Sequence, residues 1–243
     1  MNLKILCIDI GNTRAKYALY DDRKLLKTGF KPKFLVKDVR KLCRDNHVEC
    51  GIISSTRHRN SPVVRFLVKE LKQFIELDYK TKLPITNAYD SPKTLGMDRL
   101  AAALGAYTKK PGKAHLIIDA GSCMTLDVID AKGCFIGGNI TPGMRMRSKA
   151  MNDHTDKLPL VPLIHHKDLL GTNTKMALQN GAVRGTLFEI EAFIHSVRTE
   201  YPRININLTG GDTEFLAKYL KSKILADPNL VFKGLHEIVL HNV

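Results

Sequence analysis

Apolar residues along the chain fall into two rhythms. Short runs alternate with polar positions at period two, and longer stretches repeat every three or four residues. The first rhythm marks half-buried strands and the second marks amphipathic helices. Residues 3–9 (LKILCID) read as a strand, 10–13 as a turn and 14–20 as an alternating second strand, with a third strand after the Asp21-Asp22 turn. A helix is predicted over 33–46 and a strand over 48–53. A further helix starts at Ser61-Pro62, a capping residue followed by proline at the first helical position. Its apolar pattern runs to about Phe74, and 75–79 reads as another strand. The loop KLPITNAYDSPKTLG leads into a helix over 97–109, and Pro111-Gly112 breaks the chain.

The strand rhythm restarts near residue 113. IIDAGSCMTLDVID (117–130) reads as strand, tight turn, strand, and a third strand follows near 134–140 before the turn-like GGNITPG (137–143). A helix over 144–151, a proline-spaced loop through 167 and a long helix over 172–199 come next. The strand INLTGG (206–211), a helix over 213–222, a short strand near 230–232 and a final helical segment complete the chain. Ala177, Gly181 and Gly185 recur four apart on the long helix, which predicts close packing against another element.

Asp9-Ile10-Gly11-Asn12 and Asp119-Ala120-Gly121-Ser122 each follow apolar β residues and precede a strand hairpin. Each opens a half-chain with the same order of elements, so duplication explains the pair better than chance. The expected class is α/β, with lobes over 1–112 and 113–243. Each lobe would be a mixed sheet flanked by helices, with a cleft between the two.

Composition narrows the function classes. With 44% hydrophobic and 26% charged residues, the chain has a globular balance. It has no apolar run near the roughly 20 residues that cross a bilayer, and no signal-peptide core, so a cytoplasmic location and no membrane partner are expected. The net charge of +14 suits a polyanionic nucleotide or a nucleic acid. However, the basic residues alternate with apolar ones at helical spacing, as solvated helix faces do, and no nucleic-acid motif accompanies them. The five cysteines are scattered with no Cys-x-x-Cys pair, which argues against zinc and against a disulfide framework. Cys123 alone lies within a candidate functional turn. Phosphate loops of the G-x-x-x-x-G-K-[ST] and G-x-G-x-x-G kinds, the G-x-S-x-G elbow and H-R-D are all missing. His58, His154, His165 and His166 fall in predicted loops without metal-ligand spacing and are expected at the surface.

The repeated turn has a chemistry of its own. A carboxylate at a strand end, then glycine, then small hydroxyl or amide residues suits a polyphosphate and its metal. Glycine lets backbone N–H groups approach phosphate oxygens, and the carboxylates hold cations. Asn12, Thr13 and Ser122 add side-chain hydrogen bonds, and Lys16 is a charge in an alternating strand within reach of a phosphate. YDSPKTLGMDRL (89–100) sets a glycine beside an Asp-Arg pair at a helix start, where carboxylate and guanidinium can meet one substrate. TGGD (209–212), after a strand, suits a flat group such as adenine lying on bare backbone.

Taken in order, these motifs resemble the type III pantothenate kinases of the acetate and sugar kinase/actin superfamily. The resemblance covers essentially the whole chain. It rests on D-x-G-N-T at 9–13, Tyr89 with Pro92, G-x-D-R at 96–99, D-x-G-[TS] at 119–122, G-G-x-I-x-P-G at 137–143, and Gly171 to Thr174. It implies two duplicated actin/ribonuclease H-like lobes and ATP-dependent phosphorylation of pantothenate to 4'-phosphopantothenate, the first step of coenzyme A biosynthesis. It also implies Asp98 as general base and a substrate site of Tyr89, Gly96, Met97, Asp98, Arg99 and Thr174. The implied ATP site is Asp9, Ile10, Gly11, Asn12, Thr13, Arg14, Ala15, Lys16 and Ser122. Asp9 would lie near Mg2+ and Asp119 at a monovalent cation, K+ or NH4+, within a homodimer. Two positions depart from the usual pattern: Ser122-Cys123 where the family has Thr-Ala, and Ser91 where it often has Asn. The alternatives are a kinase or phosphatase of the same fold acting on another small metabolite, and a regulatory nucleic-acid-binding protein on this scaffold.

Overall fold

The structure, a computed structural model, describes residues 3–11, 13–55 and 61–243. Asn12, an expected phosphate contact, and His58 lie outside the described residues. The chain forms two compact units. The first comprises Met1–Gly112, Ile129–Gly137 and Asn229–Val243, and the second comprises Lys113–Val128 and Gly138–Pro228. A single cut at 112/113 marks where the second unit begins, but the chain returns to the first unit twice.

The first unit opens with β1 (Lys4–Ile10), β2 (Ala15–Asp21), β3 (Lys24–Lys31), α1 (Val36–Asp45), β4 (Cys50–Ser55), α2 (Pro62–Glu70) and β5 (Gln73–Glu76). The sheet order is β3-β2-β1-β4-β5. β1 pairs antiparallel with β2 and parallel with β4, so the sheet is mixed. The apolar run of β1 suits this central position, covered on both faces. The edge strand β3 is mostly exposed and carries Lys24, Lys27 and Lys31, charges that discourage pairing with another chain. Leu6, Ile8, Leu19, Ile53, Val39 and Leu67 form the core between one sheet face and the helices α1 and α2. Ser61 starts α2 as the sequence predicts, its hydroxyl accepting from the Val64 N–H at 3.3 Å. The helix stops at Glu70 and β5 starts at Gln73, earlier than the predicted 75–79, because Leu71 and Lys72 already leave the helix.

Within the predicted loop lies a two-residue strand, β6 (Thr86–Asn87), and α3 (Met97–Lys109) follows with the predicted bounds. The second unit then opens with β7 (His115–Ala120), β8 (Cys123–Ile129), β9 (Cys134–Pro142) and α4 (Met144–Asp153). It continues with α5 (Thr174–Glu200), β10 (Asn205–Thr209), α6 (Thr213–Ala217) and β11 (Leu225–Ala226). The order β11-β10-β7-β8-β9 repeats that of the first sheet, strand for strand. The opening residues of β9, Cys134 and Phe135, belong to the first unit and pair there with β6.

Four expectations need correction. GGNITPG is strand rather than turn: β9 runs to Pro142, and Gly138 is there because a Cβ would lie 2.2 Å from the Leu126 carbonyl oxygen. The helix after TGGD ends at Ala217, well short of 222. Residues 230–232 are the first turn of α7 (Leu230–Asn242), since the apolar Leu-Val-Phe run is buried against α3 rather than in a sheet. Gly181 and Gly185 of α5 face open space, so neither is a site of close packing within the described chain.

Candidate active site

In the first unit the strand register sorts the expected ATP-binding segment by face. Asp9, next to last in β1, has Lys16 of β2 and Ser54 of β4 as its cross-strand neighbours, and Lys16 in turn neighbours Phe30 of β3. Neighbours across a sheet share a face, so Asp9, Lys16 and Ser54 form one polar row. Ile10 and Ala15 pair on the opposite face. There they line an apolar cavity of about 260 Å³ with Phe34, Val63 and Ile53. The turn closes through the Gly11 N–H, which donates to the Arg14 carbonyl at 3.1 Å. The Arg14 guanidinium lies 4.8 Å from the centre of the Phe30 ring, and Thr13, just before Arg14, is exposed.

A second cavity in this unit, about 370 Å³, is lined by Ser54, Ser55, Glu76, Lys93, Gly96, Met97 and Asp98, among others. It lies where the parallel strands β4 and β5 end and α3 begins, the usual ligand position in an open α/β sheet. Gly96 is the residue before α3, and a Cβ there would stand 2.5 Å from Asp98 Oδ1. Its bare backbone lets the carboxylate fold back, where Oδ1 accepts from the Arg99 N–H at 3.0 Å. Arg99 is only 6% exposed. Its guanidinium lies 5.5 and 5.8 Å from the ring centres of Tyr89 and Phe135. The β6–β9 pairing makes this possible, because the Ala88 N–H donates to the Phe135 carbonyl and carries Tyr89 alongside. Gly96, Met97 and Asp98 thus share one cavity, and Tyr89 and Arg99 form an adjoining aromatic–cation cluster.

In the second unit, Asp119 is next to last in β7 and its neighbour on β10 is Thr209. The Gly121 N–H donates to the Cys123 carbonyl at 3.0 Å, and the Gly143 N–H to the Ser122 carbonyl at 3.1 Å. Gly210 takes φ +97°, and a Cβ there would lie 2.3 Å from the Ala120 carbonyl oxygen and 2.5 Å from Asp119 Oδ1. Glycine is therefore required at the Thr-Gly-Gly-Asp corner on two counts. Thr174 is the exposed first residue of α5, which Asn173 caps by accepting from the Met176 N–H at 3.0 Å.

The remaining sequence candidates are structural. Cys7, Cys43 and Cys50 are buried, and desolvation pushes the Cys43 thiol up to about 11, so these are inert core residues. Cys123 is half-buried at the start of β8, and its carbonyl closes the turn. His165 and His166 are half-buried rather than at the surface: His165 stacks on Tyr219 at 3.9 Å, and His166 hydrogen-bonds Gln179 at 2.8 Å. Among the described residues no group of three or more His, Cys, Asp or Glu could hold a metal ion. None of their helices is long and apolar enough to cross a membrane. Ser54, Ser55, Glu76 and Lys93 were not singled out from the sequence. Ser54 was findable as a hydroxyl near the end of the strand parallel to β1.

Comparison with known proteins addresses the family and the fold. The sequence profile of the type III pantothenate kinases matches residues 5–196. A type III pantothenate kinase of Phocaeicola vulgatus is 42% identical over 237 residues, covering 98% of each chain. A crystal structure of a Campylobacter jejuni protein described as a Baf family transcriptional activator is 24% identical, with a TM-score of 0.63 over 98% of both chains. A glucokinase of the ROK family from Streptomyces griseus, solved with glucose and AMPPNP, superposes with a TM-score of 0.56 at 13% identity over 97% of both chains. The two structures share the fold, while the profile and the curated relative reach further: this chain belongs to the type III pantothenate kinase family.

Proposed function

We propose that this chain transfers the γ-phosphoryl group of ATP to the primary hydroxyl of pantothenate, giving 4'-phosphopantothenate in the first step of coenzyme A synthesis. The observation that carries the residue assignment is a shared wall. Ser54 is the cross-strand neighbour of Asp9, and it also lines the cavity that holds Asp98. A phosphate-binding turn and a carboxylate suited to an acceptor hydroxyl therefore meet on one strand end. Asp98 orients that hydroxyl and takes its proton as it attacks phosphorus. Phosphoryl transfer depends mostly on such positioning and on charge neutralisation. Arg99, held against Tyr89 and Phe135, supplies positive charge beside the acceptor, and Gly96, Met97 and Thr174 complete the pantothenate contacts. Asp9 to Lys16 and Ser122 receive the ATP phosphates.

The donor sets fit the cations that the family implies. Asp9 is one hard oxygen ligand, and Mg2+ is usually held by one or two carboxylates together with substrate phosphates. Asp119, packed against the Gly210 backbone, is an oxygen donor for K+ or NH4+. When bound, these ions neutralise charge on the phosphates. A homodimer is supported by Leu160, Leu169, Leu170 and Phe188 of the second unit, exposed by 61, 60, 76 and 56%. These are the positions at which a partner would cover apolar surface. The reaction is placed in the cytoplasm.

The test is ATP- and pantothenate-dependent turnover with and without K+, on the native chain and on Asp98→Asn. Turnover is expected to require both substrates and K+, and the variant to lose at least about a hundredfold. Near-native activity of Asp98→Asn would remove the base assignment. Phosphorylation of a sugar or of acetate with pantothenate inert would remove the substrate.

A further inference from the structure

Two segments of the second unit close on the turn at 119–122 without side chains between them. α4 starts against it: a Cβ on Gly143 would lie 2.1 Å from the Gly121 carbonyl oxygen and 2.8 Å from that of Ser122. The Gly-Gly-Asp corner closes from another direction, with the Asp212 N–H donating to the Ala120 carbonyl at 3.0 Å. The first turn of α4 and the start of α6 are thereby held beside one another at the turn. Two opposite charges stand at this junction. Arg145, second in α4, has a side chain 79% exposed, and its guanidinium lies 3.9 Å from Asp212 Oδ1, whose side chain is 13% exposed. The neighbouring basic residue of α4, Arg147, is committed elsewhere. It donates to the Pro142 carbonyl at 2.8 Å and to Thr141 at 3.0 Å, and it pairs with Glu189 of α5.

We propose that Arg145 is a nucleotide-phosphate ligand that Asp212 holds at the turn until ATP arrives. The contact is long and the arginine end of it is in solvent, so the guanidinium can swing from Asp212 to a phosphate oxygen, one anionic partner for another. A guanidinium suits that role because its fork of N–H donors matches a phosphate's oxygens. Burial holds the Asp212 carboxyl above its ordinary range, and the Arg145 charge opposes that shift. Arg145 belongs to none of the motifs that signalled phosphate binding, and the inference rests on reading 119–122 as a phosphate-binding turn.

The test is calorimetric titration of the full chain with a non-hydrolysable ATP analogue and Mg2+, with melting curves recorded for each variant. Arg145→Ala is expected to weaken binding at least roughly tenfold, the effect of losing one charge-assisted hydrogen bond, with part restored in Arg145→Lys. Asp212→Asn is expected to bind as tightly as the native chain or tighter, because the arginine is released. A purely structural pair would instead weaken binding on removal of either partner. Native-like binding by Arg145→Ala, or weakening by a folded Asp212→Asn, overturns the proposal. A native chain that binds no nucleotide overturns the phosphoryl-transfer reading itself, which keeps the two failures apart.

Discussion

α3 and α7 meet backbone to backbone, so one methyl group there should cost more than it would almost anywhere else in the chain. A Cβ on Gly234 would lie 1.7 Å from the Ala101 carbonyl oxygen, and one on Gly105 would lie 2.2 Å from the Leu230 carbonyl oxygen. Non-bonded carbon contacts settle at about 3.5–4.0 Å, so Gly234→Ala must part the helices by roughly 2 Å at their crossing. Overpacking of this kind costs about 1–3 kcal/mol, and the upper end applies because the obstacle is backbone and cannot swing away. Alanine returns about 1 kcal/mol of helix propensity over glycine. The net loss is about 2 kcal/mol, or a fall in Tm of about 4–8 °C for a chain this long. Gly181→Ala on α5 is the control: a Cβ there meets nothing within 4 Å, so only the propensity gain remains and Tm should rise by about 2–4 °C. Thermal melts followed by circular dichroism read both signs. Asp98 lies in the first turn of α3, so turnover of Gly234→Ala should fall as well. A Gly234→Ala chain that melts at or above the native temperature would refute the packing argument. A loss of stability in Gly181→Ala would reveal a partner surface on α5.

His236 of α7 stacks on Tyr20 at 4.1 Å and donates from Nε2 to the Asp22 carbonyl at 2.7 Å, and burial holds its pKa below the ordinary 6.5. The unfolded chain then binds more protons just below pH 6.5, so the urea midpoint should fall on acidification from about pH 6.5, and His236→Gln should flatten that slope; an unchanged slope would refute the assignment. Ser61→Ala removes the N-cap of α2 and should cost about 1 kcal/mol, seen as a Tm lower by about 2–4 °C with turnover retained.

What the sequence revealed depended on whether the signal was local. The start of α2 was visible because Ser61-Pro62 carries its own capping chemistry. α3 had the predicted bounds because Pro111-Gly112 stops it and Gly96 precedes it. The two Asp-x-Gly turns were visible as repeats. β9 was expected to end near residue 140 with GGNITPG as a turn, since Gly and Pro signal a turn locally, whereas the strand runs to Pro142 and Gly138 is there to let β8 approach. Leu230 to Phe232 carry no periodic signal of their own, and only packing on α3 decides in favour of helix. The cavity beside Asp98 collects Ser54, Glu76 and Lys93 from three separate segments, and only the β4–β5 pairing together with the fold of the loop before α3 brings them together.

The duplication itself is deeper than the motif that disclosed it. In each copy the aspartate next to last in the first strand lies beside a buried hydroxyl on the parallel strand, Ser54 for Asp9 and Thr209 for Asp119. Neither hydroxyl lies in the Asp-x-Gly motif, and the two stand in unlike local sequences, ISST and NLTG. Their equivalence comes from strand pairing alone. The copies differ where their expected tasks differ. The first turn spans four residues, 11–14, and closes between Gly11 and Arg14, while the second spans two, 121–122, and closes between Gly121 and Cys123. The longer loop carries Thr13 and Arg14 as polar reach, whereas the shorter one brings its backbone against Gly143. The first copy therefore reaches outward with side chains, and the second packs glycines around its carboxylate. The difference also explains why the second copy would draw its guanidinium from α4: a two-residue turn has no room for one of its own.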